Sequence, residues 1–154
     1  MLPAEADVSR WLAAARASAE VTTSMLGVMA RIEAARAADV LATLRDGEGR
    51  YDMLVDLFAI DTGEGIDLRY HLRALERDED LYLAAYVDYD GEAPSVWRVH
   101  PAALYPEREA AELLGMSFPG HPNPKRLLTT QGLPPMLRKS ALIREAGEVQ
   151  LPYE

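Results

Sequence analysis

The chain has 154 residues, 49% of them hydrophobic, and a formal net charge of -9. That size and composition suit one domain around one core and exclude disorder throughout. The acidic balance argues against nucleic acid, whose phosphates need a basic surface, and the absence of cysteine removes disulfides, thiolate metal sites, cysteine-ligated iron-sulfur clusters and a cysteine nucleophile together.

The N-terminus MLPAEADVSRW has neither a basic n-region nor an apolar h-region, and no run of about 18 apolar residues is present to span a bilayer. A cytoplasmic location is therefore expected, or attachment to a membrane through a partner. Val8, Trp11, Leu12 and Ala15 recur at helical spacing behind Asp7, which predicts an amphipathic helix over about residues 7 to 19 with Asp7 as its N-cap. From Leu26 the even positions Leu26, Val28, Ala30 and Ile32 are apolar, the alternation of a strand. Ala37, Val40, Leu41 and Leu44 restore the helical period, and Gly47 sits where a C-cap would.

YDMLVDLFAID, residues 51 to 61, is apolar on both faces apart from Asp52 and Asp56 and predicts a central strand. After the turn TGEG, Ile66, Leu68, Tyr70, Leu72 and Ala74 alternate with Asp67, Arg69, His71 and Arg73, as in a half-buried strand. His71 falls on the polar side, where a solvated surface histidine is expected. Beyond RDED, Leu81, Leu83, Ala85 and Val87 share one face, and connections this short imply an antiparallel meander. SVWRV, residues 95 to 99, predicts a fourth short strand, and His100 before Pro101 marks a turn. The expected fold is α+β: a mostly antiparallel sheet, a meander of three to four strands plus one N-terminal strand, packed against helices.

YPEREAAELLG, residues 105 to 115, predicts a short helix with Pro106 at its first position, Glu107 and Glu109 in the first turn, Ala110, Leu113 and Leu114 on the buried side and Gly115 as the stop. Arg108 can pair with Glu112 one turn on. A sharper reading has Glu107 or Glu112 working with His121 as an acid/base pair or a carboxylate-imidazole metal site. Against it, one histidine beyond a glycine and two prolines fits no recognised ligand spacing.

After Phe118 the character changes, because six of the ten prolines lie in residues 117 to 154 and periodicity fades. Two regions are expected, a compact α+β domain over 1 to 116 and an extended tail over 117 to 154. The tail is basic to residue 144, with Lys125, Arg126, Arg138, Lys139 and Arg144 and no acid, and the last ten residues then add three glutamates. Phe118, Leu127, Leu128, Leu133, Met136, Leu137, Leu142 and Ile143 make this tail too apolar to be solvated, so it is expected to dock on another surface. The basic pairs suit ion pairs with a protein partner.

PSVWRVHPAALYPERE, LLGMSFPGHP, KRLL and LRK, in that order from Pro94 to Lys139, resemble the 30 kDa (C-type) subunit of proton-pumping NADH:quinone oxidoreductase, respiratory complex I. LRDGEGRYDMLVDLFAIDTGEG is similar to a weaker block of the same family. The chain departs from the family pattern at Glu112, where aspartate is usual, at Met116 after Gly115, and at Ser140, where an acidic charge is lost. The same module occurs in membrane-bound [NiFe] hydrogenase and formate hydrogenlyase complexes, which stand as the alternative membership.

The resemblance implies a non-catalytic subunit of the hydrophilic arm with no cofactor of its own. Iron-sulfur clusters, with flavin or nickel-iron, would lie in partner subunits. The implied partners are the large quinone-site (49 kDa-like) subunit, or the hydrogenase large subunit, and neighbouring iron-sulfur subunits, on the cytoplasmic side of the membrane. Glu107, Arg108, Glu109, Glu112 and Gly115, with the turn Phe118, Gly120, His121 and Pro122, are then expected to form a docking edge. Lys125, Arg126, Leu137, Arg138 and Lys139 are expected to run over the partner. An independent small enzyme using Glu107, Glu112 and His121 is the reading from a different class.

Overall fold

A computed structural model describes residues 2–25 and 27–141. The expectations placed on Leu26, Leu142, Ile143, Arg144 and the last three glutamates lie outside the described residues. Helix α1 (Glu5–Ala14) leads to β1 (Glu20–Ser24) and β2 (Gly27–Glu33), a 3-10 turn, and α2 (Ala37–Asp46). Strands β3 (Met53–Asp61), β4 (Ile66–Ala74) and β5 (Glu79–Val87) follow, then a second 3-10 turn at Pro101–Ala103 and α3 (Leu104–Leu114). The fold is α+β.

The strands form one sheet in the order β1-β2-β5-β4-β3. β3, β4 and β5 make the expected antiparallel meander, and β1 pairs antiparallel with β2. β2 and β5 run parallel in the middle, which the long crossover through α2, β3 and β4 permits. The alternation in β4 puts Ile66, Leu68, Tyr70, Leu72 and Ala74 on one face, where they meet Leu81, Leu83, Ala85 and Val87 of β5. Val8 and Leu12 of α1, Val40, Leu41 and Leu44 of α2, and Ala110 and Leu114 of α3 close over that face in a single core.

The opposite face carries charge. Asp67 accepts from Arg31 at 3.2 Å and Arg69 at 2.9 Å, and Asp80 accepts from Arg73 at 2.8 Å. His71 is not a solvated histidine: its Nε2 lies 2.8 Å from Asp80 Oδ1, and its ring stacks on Tyr82 at 4.4 Å. Register explains this, since His71 and Tyr82 are direct cross-strand partners.

α1 begins at Glu5 behind an extended Ala4, and Asp7, rather than capping, pairs with Arg10 at 2.9 Å in the first turn. It stops at Ala14 because Arg16 turns left-handed, at φ 53. β1 has no counterpart among the predicted strands because EVTTS is polar and almost wholly exposed, so no apolar alternation marks it. Gly47 caps α2 with an extended backbone, φ -85, rather than a left-handed one.

β3 is an edge strand, not a central one, and its second apolar face is exposed: Met53, Val55, Phe58 and Ile60 are 40% to 44% accessible. SVWRV is not a strand but a turn, closed by Val99 N–H and His100 N–H donating to Val96 O at 2.9 and 2.8 Å. His100 then caps the 3-10 turn and is buried; burial first, then the Arg45 charge, pushes its imidazole down to about 4.

Candidate functional site

The residues singled out by sequence converge around α3. The helix starts at Leu104, so Pro106 is its third residue rather than its first; its missing N–H still falls among those left without an intrahelical acceptor. Glu107 points into the protein and is fully buried. Its carboxylate accepts from Val96 N–H at 2.7 Å and from the Ser95 hydroxyl. Burial pushes its pKa up, opposed by the bonds from Ser95 and Val96. A charged side chain at this depth is tolerated because the 95–96 turn aims its donors at it, which is why that segment cannot be a strand.

His121 completes this inner knot. Its side chain is 3% exposed and its Nε2 stands 3.8 Å from Glu107. Nε2 donates instead to Leu104 O at 2.9 Å, while Nδ1 accepts from Asn123 N–H at 3.0 Å. That pattern assigns the neutral Nε2–H tautomer. Trp97 Nε1–H donates to Gly120 O at 2.9 Å, and Ser95 N–H donates to Pro119 O at 2.9 Å. The 95–97 turn, the start of α3 and the Gly120-His121-Pro122 turn are thus tied together, with Phe118 buried in the core beside them.

One turn along α3, Arg108 and Glu112 do not pair with each other. Arg108 donates to Lys125 O at 2.7 Å and Arg126 O at 2.8 Å. Glu112 accepts from Leu127 N–H at 2.6 Å, Leu128 N–H at 3.0 Å and Thr129 N–H. Three successive N–H groups wrapped on one carboxylate form a nest. The Thr129 side chain foremost, with these backbone donors and against burial, holds Glu112 down at about 2. Arg126 folds the loop on itself, donating to Thr130 O at 3.0 Å and to Leu133 O. Arg108 and Glu112 are therefore both spent on the backbone of residues 125–129, and Lys125 and Pro122 face solvent.

The C-terminal end of α3 is held in the same way. Gly115 is left-handed at φ 75 and donates to Ala111 O at 3.0 Å, as expected of a C-cap. A Cβ there would stand 2.5 Å from Pro135 Cγ and 2.6 Å from Arg138 Nη2. Arg138 donates to Leu114 O and to Asp90 at 2.7 Å each, satisfying a terminal helix carbonyl, and its guanidinium stacks 4.9 Å from the Tyr89 ring. Leu137 N–H reaches Leu113 O at 2.9 Å.

Asp61, Tyr89 and Ser95 belong to this network although sequence alone did not single them out. Asp61 ends β3 and is buried, accepting from the Tyr89 hydroxyl and Lys139 N–H at 2.5 Å and from Gly63 N–H at 2.8 Å. Those donors, Tyr89 foremost, lower its pKa. The signals for Asp61 were an acid at the core-facing end of an apolar strand and its place in the LRDGEGRYDMLVDLFAIDTGEG block. Glu109 alone of the helix acids stays exposed, on the rim of a groove beside β3.

The arrangement is built for holding. Glu107 and His121 are neighbours, whereas Glu112 is committed to other donors, so the three do not converge. Among the described residues no group of three His, Asp or Glu side chains has metal-ligand geometry, and no helix is long and apolar enough to cross a membrane.

The family model described as "Respiratory-chain NADH dehydrogenase, 30 Kd subunit" matches residues 30–146. The chain belongs to that family. The C-type subunit of NADH-quinone oxidoreductase from Rhodobacter capsulatus is 36% identical over 119 residues, 75% of this chain and 59% of that protein. Its counterpart from Caulobacter vibrioides is 39% identical over 105 residues, 64% of this chain and 53% of that protein. The chain thus spans little more than half the length of these relatives. A chain in the structure of the membrane-bound sulfane sulfur reductase, an archaeal respiratory membrane complex, shares the fold at a TM-score of 0.63 and 26% identity, over 76% of this chain and 71% of that one. The α3 helix, the G-H-P turn and the L-R-K segment of this member of the 30 kDa-subunit family all lie within the matched residues.

Proposed function

We propose that this chain is a non-catalytic, cofactor-free subunit of the hydrophilic arm of a complex I-type NADH:quinone oxidoreductase, docked on the large quinone-site subunit and stabilising it. What supports the reading is family membership together with the fate of the acid and base groups. Glu107, Glu112 and His121 are all taken up by donors and acceptors of their own chain, which leaves them as positioning groups. In this reading the electron-carrying cofactors sit in neighbouring subunits, and the chain is peripheral, on the cytoplasmic side of the membrane.

The same role in a membrane-bound hydrogenase-like complex is the second reading, favoured by the likeness to a chain of the sulfane sulfur reductase complex. Isolation of the native assembly through a tag on this chain separates the two. NADH-binding flavoprotein and quinone-site subunits at equal stoichiometry are expected under the first. A nickel-binding large subunit indicates the second. Isolation of the chain alone with a turnover that His121→Ala abolishes would overturn both.

A further inference from the structure

The sheet has two edges that no other described strand pairs with, and they are guarded differently. β1 is five residues, four of them polar and nearly all exposed, a short edge that offers little to pair with. β3 is nine residues long with no lysine or proline and with Met53, Val55, Phe58 and Ile60 exposed. A free edge presents a row of backbone N–H and C=O groups ready to accept another strand, which isolated proteins blunt with charge, proline or a bulge. β3 has one register irregularity, between Leu54 and Asp56. From Asp56 to Asp61 it runs in regular register against β4, with the Leu57 N–H taken by Asp56 Oδ1 at 2.8 Å, which leaves Asp56 Oδ2 to face a partner.

A groove of about 280 Å³ runs between this strand and α3. Leu57, Ala59, Ala110 and Leu113 supply its apolar lining, and its charged lining residues, Asp56 and Glu109, are both acidic. Asp52 precedes the strand and Glu64 follows it. A visiting strand would therefore meet apolar surface on both sides of its backbone and negative charge at its margins.

We infer that the free edge of β3 docks a partner subunit, which adds an extended segment as a sixth strand with aliphatic side chains against Phe58, Ile60 and the groove and Lys or Arg facing Asp56 and Glu109. This rests on the subunit reading above and names the surface that reading needs. A second copy of the chain fits poorly. Antiparallel pairing of β3 with itself about a two-fold axis near its middle would bring Asp56 toward its own copy, and like charges across strands repel. The chain's own residues 142–154 also fit poorly, carrying three glutamates against one arginine.

The test compares the full chain alone with the native assembly isolated through its tag. Amide exchange over residues 53–61 is expected to slow more than tenfold in the assembly, and a benzoylphenylalanine placed at Phe58 is expected to cross-link to another subunit. The double substitution F58K/I60K is expected to leave the thermal midpoint of the free chain unchanged while reducing its recovery in the assembly more than tenfold. Unchanged exchange over β3, or a cross-link to a second copy or to residues 142–154, overturns the inference while leaving the subunit reading intact. Recovery of the tagged wild-type chain without stoichiometric partners overturns the subunit reading, and this inference with it.

Discussion

Around α3, the side chains of Glu107, Arg108, Glu112 and Arg138 each end on a backbone group of the same chain. Along β3, Met53, Val55, Phe58 and Ile60 stand at the surface, held by no comparable network among the described residues. The first region uses charged residues at defined spacing, because a carboxylate saturated by three or four donors works only if every donor is in place. The second needs only apolar shape and a free backbone edge, which many residues supply equally well. The charged residues of α3 thus fix the chain's own path, and a contact surface for partners can lie where the sequence looks ordinary.

Glu107→Ala tests the first half of that contrast most severely. It leaves Val96 N–H buried without an acceptor, frees the Ser95 hydroxyl and opens a void beneath α3, a combination expected to cost about 3–5 kcal/mol. A urea titration of the free chain reads this as a fall in midpoint with the slope unchanged. Loss below about 1 kcal/mol would mean that the knot is ornamental and that the carboxylate was kept for something else. Gly115→Ala comes next: a left-handed backbone with Pro135 and Arg138 against the new methyl is expected to lose about 2 kcal/mol by the same titration.

The two buried glutamates also predict opposite responses to pH. Glu112 is held near 2, below its unfolded value, so the stability it contributes is complete above the ordinary carboxylate range and is lost as pH falls toward 2. Glu107 is raised; the folded state then binds its proton more tightly than the unfolded one, and its contribution declines as pH rises through the folded pKa. Stability profiles of Glu112→Gln and Glu107→Gln should therefore differ from the parent in opposite senses, the first losing the acid-side slope and the second gaining relative stability as pH rises. Parallel profiles would show that the two sites do not differ in this way.

Much of this was legible. Period-two alternation located β2, β4 and β5, helical spacing located α1 and α2, and Pro106 and Gly115 bracketed α3 to within two residues. What escaped depended on contacts distant in sequence. The 95–99 segment has strand composition, but Glu107 claims its backbone N–H, and no local pattern announces that. Arg108 and Glu112 have the spacing of a helical ion pair, yet backbone groups 15 to 18 residues away take both. β3 reads as central because two apolar faces normally mean two covered faces; its edge position shows only when the strand order is known. The region around α3 was recognisable because its residue types are restrictive, whereas what they bond to was not.

Arg108→Ala probes the outer clasp more gently than the Glu107 knot. It removes two hydrogen bonds to Lys125 O and Arg126 O at the protein surface, worth about 1–2 kcal/mol together. The loss should be local. Amides of Leu127, Leu128 and Thr129 should exchange faster as the Glu112 nest loosens, with those of β4 and β5 unchanged, because the core does not depend on this contact. Uniform acceleration across the sheet would place the clasp inside the cooperative unit.

Ile60→Lys is expected to have the smallest effect on the free chain and so gives the cleanest reading of the edge. The side chain is 44% exposed, and its replacement leaves no buried polar group unpartnered and opens no cavity. The expected change in stability is within about 0.5 kcal/mol, the range of surface substitutions. The added ammonium also puts a charge on the edge strand, which discourages pairing with any further strand. A large loss of stability in the free chain would mean that β3 is part of the folding core in its own right. If stability stays unchanged while recovery in the assembly falls, the apolar side of this edge serves association rather than folding, the reverse of what Glu107 does on α3.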